Sequence, residues 1–101
     1  MSRKAQLDEM ANLEGNSVAH RVLYGDDAGL READLYQDQA TKTSETHTWN
    51  EDDIDYFRTK AQGRAARELK RREEDWDGRT YESLEAEAFR LIEVFIQAQM
   101  R

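Results

Sequence analysis

A short basic segment of the chain has the residue types and the spacing for recognising negative charge. Residues 58–72 contain seven basic side chains and one acidic one, although the whole chain carries a net charge of −7. Four of the basic side chains recur at helical steps and would line one side of a helix: Lys60, Arg64, Arg67 and Arg71. Ammonium and guanidinium groups in such a row bind carboxylates or phosphates. The row therefore predicts a surface for an acidic protein or a nucleic acid, unless it pairs with the chain's own carboxylates.

Carboxylates lie on both sides of this basic segment. Asp52, Asp53 and Asp55 precede it, and four more acidic residues follow within 73–77. A protein that reads duplex DNA carries a broader positive surface, and these flanks would repel a long phosphate backbone. We therefore favour a protein partner for the four cations, with nucleic-acid binding as the alternative. The three aspartates are predicted to form a second, anionic patch in the partner-binding surface.

The other reactive residue types form no catalytic or metal-binding pattern. The chain has no cysteine, and its two histidines, His20 and His47, belong to no ligand motif. The serines lie outside any nucleophile-elbow context. Carboxylates are so numerous that no acid/base pair can be singled out. We predict a protein that is not an enzyme and that holds no metal or cofactor.

Two helices are marked by local signals in the C-terminal half. Asn50 is a favoured N-cap, and the acidic residues after it complement the helix dipole, which predicts a helix over 51–76. Gly78 suits a break, and Thr80 can cap a last helix that runs to residue 101. Proline, the strongest helix breaker, is absent. The pattern indicates an antiparallel helical hairpin.

The first of these helices is long for so small a chain. A helix over 51–76 would be roughly 39 Å long, which exceeds the ~34 Å diameter of a compact chain of this size. The helix must therefore project, bend or belong to an elongated bundle. Gly63 lies inside it and is either a point of bending or a residue on the solvent face.

The last helix has more apolar surface than one neighbouring helix can cover. Its main stripe is formed by Leu84, Ala88, Leu91, Ile92, Phe95 and Ala98. A second apolar side lies about 120–160° away at 100° per residue, so either the N-terminal helices or a second subunit must pack there. The oligomer interface is predicted to contain Phe89, Ile92, Phe95, Ile96 and Met100.

The N-terminal half gives weaker signals. Ser2 is a suitable cap for a short helix over 3–14, with Gly15 just past its end. Further short helices are indicated over 17–25, where a strand is the alternative, and over 30–40. The threonine-rich segment 41–49 lacks apolar alternation, which is typical of an exposed linker.

The sequence thus predicts an all-α fold, a small elongated helical bundle built on the C-terminal hairpin and suited to a homodimer. Residues 1–48 are expected to form weakly ordered short helices and a linker, and residues 49–101 the hairpin. The predicted function is non-enzymatic protein binding as an inhibitor, adaptor or regulator, of the kind that phage or mobile elements use as accessory factors. The alternatives are nucleic-acid binding and a structural oligomer or assembly factor. Neither a signal peptide nor a membrane span is indicated, which predicts a cytoplasmic location.

Overall fold

The computed structural model describes residues 2–25 and 49–99 of the 101-residue chain. Within these ranges the structure contains three α-helices, one short 3₁₀ helix and no strand: α1 (Arg3–Tyr24), α2 (Glu51–Arg71), the 3₁₀ helix (Glu73–Asp75) and α3 (Tyr81–Gln99). The predicted all-α fold is confirmed. The short helix expected over 30–40 and nearly all of the predicted linker lie outside the described residues.

Each of the three helices begins where a polar cap predicts. The hydroxyl of Ser2 accepts a hydrogen bond from the backbone N–H of Ala5 at 3.1 Å. Asn50 and Asp53 form a reciprocal capping box, in which each side chain accepts from the other residue's backbone N–H. Thr80 accepts from the N–H of Ser83 at 3.2 Å. These contacts satisfy N–H groups that have no partner inside the helices.

The first helix does not end at Gly15, as the sequence suggested, but continues to Tyr24. A Cβ built on Gly15 would lie 2.6 Å from Cβ of Arg64 and 2.8 Å from the carbonyl oxygen of Ala61. Glycine is thus needed because α2 passes too close for any side chain. Packing between the two helices accounts for a residue that the sequence presented as a helix terminator.

The second helix ends five residues earlier than predicted, at Arg71 rather than at residue 76. Beyond it Trp76 turns back, and its indole N–H donates to the carbonyl of Leu69 at 2.8 Å. Asp77 and Gly78 then take positive φ angles of 55° and 82°, which reverse the chain. Acidic residues are disfavoured at a helix C-terminus, so the acidic 3₁₀ helix and the turn replace the last predicted turns of α2.

The helices α1 and α2 run side by side in the same direction. Contacts near the start, middle and end of α1 show this by joining Arg3 to Asp53, Asn16 to Arg64, and Tyr24 to Arg72. Gly25 and Trp49 therefore lie at opposite ends of the bundle, whose longest dimension is 43 Å. The chain between these two residues has to join those ends.

The third helix runs opposite to α2. Arg58, near the start of α2, donates hydrogen bonds to Glu93, near the end of α3, at 2.5 and 3.1 Å. Lys70, at the end of α2, lies over the ring of Tyr81, the first residue of α3, at 5.0 Å. The connection through residues 72–80 thus brings α3 back along α2.

One hydrophobic cluster joins all three helices. Its aromatic centre is formed by Trp49, Phe57 and Phe95, with the two phenyl rings stacked at 5.4 Å between centroids. Ile92 and Ile96 are fully buried, although they lie on different sides of α3. The second apolar side of α3 is thus covered in part within the chain, since Ile96 is buried and α1 contacts α3. Packing by a second subunit stays a prediction.

Candidate functional site

The predicted basic row lies on α2, but its four members have different surroundings. Arg67 is exposed and has no ion-pair partner among the described residues. Arg71, one helical turn further on, keeps 68% of its side chain exposed. Lys60 and Arg64 lie beside α1 instead and contact it. The row therefore divides into two outward cations and two that help to hold the bundle together.

The inner pair contacts polar side chains of α1. The ammonium group of Lys60 lies 4.0 Å from the carboxylate of Asp8 and 5.7 Å from the centroid of the Tyr56 ring. The Nε of Arg64 donates to Oδ1 of Asn16 at 3.1 Å. Both side chains remain partly exposed, yet their charged ends are already engaged.

A buried carboxylate holds the arginines at the end of α2. Glu68 is only 5% exposed, and its oxygens lie 3.4 Å from Arg64, 3.3 Å from Arg71 and 3.6 Å from Arg72. One negative charge thus faces three positive ones, so the cluster keeps a net positive charge. Helical spacing predicts contacts from Arg64 to Glu68, from Lys70 to Glu74 and from Arg71 to Asp75. The first is confirmed, whereas Arg71 pairs with Glu68 and Lys70 lies over Tyr81, because the helix ends at Arg71. The spacing did not indicate that the carboxylate of Glu68 is buried.

The three aspartates predicted as an anionic patch are used differently from one another. Asp53 is buried, accepts from the backbone of Asn50 and pairs with Arg3. Asp55 is exposed and lies 3.2 Å from Arg58. Asp52 is exposed beside an open cleft of about 320 Å³, whose lining includes Arg3, Lys4, Leu7 and Tyr56. Of these three aspartates, Asp52 alone has no ion-pair partner among the described residues.

The residues predicted for an oligomer interface are mostly inside the bundle. Ile92, Phe95 and Ile96 belong to the core, and Phe89 is partly buried against it. Met100 lies outside the described residues. Among the large apolar side chains in the described part of α3, Val94 is exposed, at 58%. Ala98, which was predicted to lie in the main stripe, is exposed as well. A dimer interface made of the five predicted residues would need side chains that the bundle already buries. The homodimer therefore stays a prediction, and these residues do not support it.

Arg79 is a structural residue that the sequence analysis missed. Its guanidinium donates to the carbonyls of Val22 and Leu23 at 2.8 and 3.2 Å, and to the carbonyl of Trp76 at 2.8 Å. A cation at the C-terminus of α1 complements the helix dipole and its unpaired carbonyls. Because Val22 and Leu23 lie more than fifty positions away in sequence, no local pattern could have indicated these two contacts.

A second unexpected group is the carboxyl of Glu14 on the core side of α1. Its side chain is 6% exposed. Burial raises its pKa to about 8, and the positive charge of Arg21 offsets this only in part. The group is therefore mostly protonated at neutral pH.

The described residues contain no group of three acidic or histidine side chains arranged to hold a metal ion. None of the described helices is both long and apolar enough to cross a membrane. Comparisons with protein-family models, with curated proteins and with solved structures give no match to this chain.

Proposed function

We propose that this protein binds an acidic protein partner through the outward face of α2 and acts without enzymatic activity as an inhibitor, adaptor or regulator. The observation that carries the proposal is the pair Arg67 and Arg71, exposed one turn apart. Arg67 has no carboxylate of the described chain beside it, and Arg71 shares Glu68 with two other arginines. Guanidinium groups that are not fully paired within the chain can form favourable charge-assisted hydrogen bonds with the carboxylates of a partner.

The spacing of the two arginines favours a compact protein contact. Residues four apart on a helix lie about 5–6 Å from each other, which matches carboxylates one turn apart on a partner. Binding along a nucleic acid instead draws on many phosphate contacts, and its affinity falls steeply as salt rises. Lys60 and Arg64 also contact α1, and the carboxylates on both sides of the basic segment would interrupt a long phosphate track.

The proposal is tested by reversing the charges of the outward pair. The variant Arg67→Glu/Arg71→Glu and the control Arg90→Glu, exposed on α3, are used for affinity capture from the native host with quantitative identification of bound proteins. We expect the double variant to lose partners that the wild type and the control retain. An unchanged partner set for the double variant would refute the proposal.

A parallel titration addresses the alternative function. Labelled duplex DNA and RNA are titrated with wild-type protein at low and physiological salt. Salt-dependent binding that disappears in Arg67→Glu/Arg71→Glu would assign the same face to phosphates and overturn the choice of a protein partner.

A further inference from the structure

Gly63 lies in the middle of the exposed face of α2 without any structural need for glycine inside the bundle. It is exposed, and a Cβ built on it meets no atom within 4 Å. Glycine inside a helix is less favourable than alanine, and a residue that breaks a local rule without an internal gain points to function. Gly15, the other glycine inside a described helix, differs because α2 fills the space where its Cβ would be.

Cations surround the position of Gly63 on the same face. Lys60 lies three residues before it, Arg67 four residues after it and Lys70 seven residues after it, and all three are exposed. The ammonium groups of Lys60 and Lys70 also contact Asp8 and the ring of Tyr81, respectively, but they remain open to solvent. Side chains at these spacings cluster on one side of a helix. The surface of α2 is therefore indented at Gly63, and positive charges lie on either side of this indentation along the helix axis.

We propose that the partner of this face docks as an acidic α-helix, whose backbone crosses α2 at Gly63 and whose carboxylates pair with Lys60, Arg67 and Lys70. This inference rests on the proposed function and specifies the form of the partner. The missing side chain lets a second helix axis approach closely, since interaxial distance depends on the side chains at the contact. The bundle already uses such an approach where α1 crosses α2 at Gly15.

A helix fits this surface better than an extended segment does. The N–H and C=O groups in the middle of α2 are paired within the helix, so the face offers no backbone partners. An extended segment pressed against it would bury unpaired main-chain groups, whereas a helix satisfies its own. A second copy of this chain docking through the same face would place cations against cations, so a symmetric contact at Gly63 is disfavoured.

The test uses a synthetic alanine-rich helical peptide with glutamates along one side, and a peptide of the same charge interrupted by two prolines. Binding to the protein is followed by fluorescence anisotropy and by amide chemical shifts, including that of Gly63. The variants are Gly63→Leu and, as a control of equal bulk on another exposed helix surface, Ala86→Leu. Circular dichroism confirms that both variants are folded, and light scattering reports any self-association.

We expect the helical peptide to bind at least tenfold more tightly than the interrupted one, and Gly63→Leu to weaken it at least tenfold while Ala86→Leu does not. Equal binding of both peptides, or no effect of Gly63→Leu, would overturn helix docking. The proposed function would survive that result if Arg67→Glu/Arg71→Glu still abolished binding. If neither peptide bound at millimolar concentration, both helix docking and the proposed function would be overturned. If light scattering showed a dimer that Gly63→Leu disrupts, the occupant of this face would be a second copy of the chain and not an acidic helix.

Discussion

The buried carboxyl of Glu14 makes the stability of the fold depend on pH, and the variant Glu14→Gln tests this. The pKa of Glu14 is raised from 4.5 to about 8 in the folded chain. Folded protein thus binds this proton more tightly than unfolded protein does. The contribution of Glu14 to stability is fully present below pH 4.5, is lost as pH rises towards 8, and changes no further above that.

The size of the effect follows from about 1.36 kcal/mol for each pH unit between the two pKa values. The full loss between pH 4.5 and pH 8 is about 5 kcal/mol, of which about 3 kcal/mol has occurred by pH 7. Glutamine has a similar shape and carries no ionisable group, so it removes this dependence. At pH 4.5 the free energy of unfolding of the variant is expected to equal that of the wild type or to be lower. Relative to the wild type it should then increase steadily up to pH 8.

The assay is urea unfolding followed by circular dichroism at several pH values from 4.5 to 9. The difference in free energy of unfolding between wild type and Glu14→Gln cancels the contributions of other titrating groups. Glu9→Gln, exposed on the same helix, controls for the loss of a surface charge. A difference that stayed constant from pH 5 to pH 8 would show that Glu14 is not buried in its protonated form, and the reasoning would fail.

Four further substitutions probe the packing and the capping of the helices. Gly15→Ala should lower the free energy of unfolding by about 1–3 kcal/mol, because the added Cβ would overlap α2. Gly63→Ala should raise the free energy of unfolding by up to about 1 kcal/mol. Thermal unfolding measures both variants, and equal effects of the two substitutions would contradict this contrast. Arg79→Met should lower the free energy of unfolding by about 1–3 kcal/mol, because carbonyls at the end of α1 lose their hydrogen bonds. Amide hydrogen exchange around residue 25 should increase in this variant. Unchanged exchange there would count against a role of Arg79 at the end of α1. Asn50→Ala should cost about 1 kcal/mol, measured by urea unfolding, and an unchanged midpoint would argue against the capping box.

The features that sequence predicted well depend on residues close together in the chain. The caps at Ser2, Asn50 and Thr80 were predicted because a cap and the N–H it binds lie within three residues. The helical character of the chain followed from apolar spacing and the absence of proline. The contact between Arg64 and Glu68 followed for the same reason, since both lie on one helix.

The features that sequence missed depend on contacts between distant segments. Gly15 looks like a helix end until α2 is placed against it, and Arg79 has no local sign of its distant partners. The same limitation affected the candidate site. Spacing placed four cations in one row, but only the position of α1 shows that Lys60 and Arg64 are engaged and that Arg67 and Arg71 face outward.

The parallel arrangement of α1 and α2 has a consequence for how the chain folds. Hydrogen bonds that join the two helices, or α1 to the turn after α2, connect residues 48 to 57 positions apart. Contacts of such long range slow folding relative to bundles whose neighbouring helices are joined by short turns. We therefore expect α2 and α3 to associate first, with the docking of α1 as the slow step.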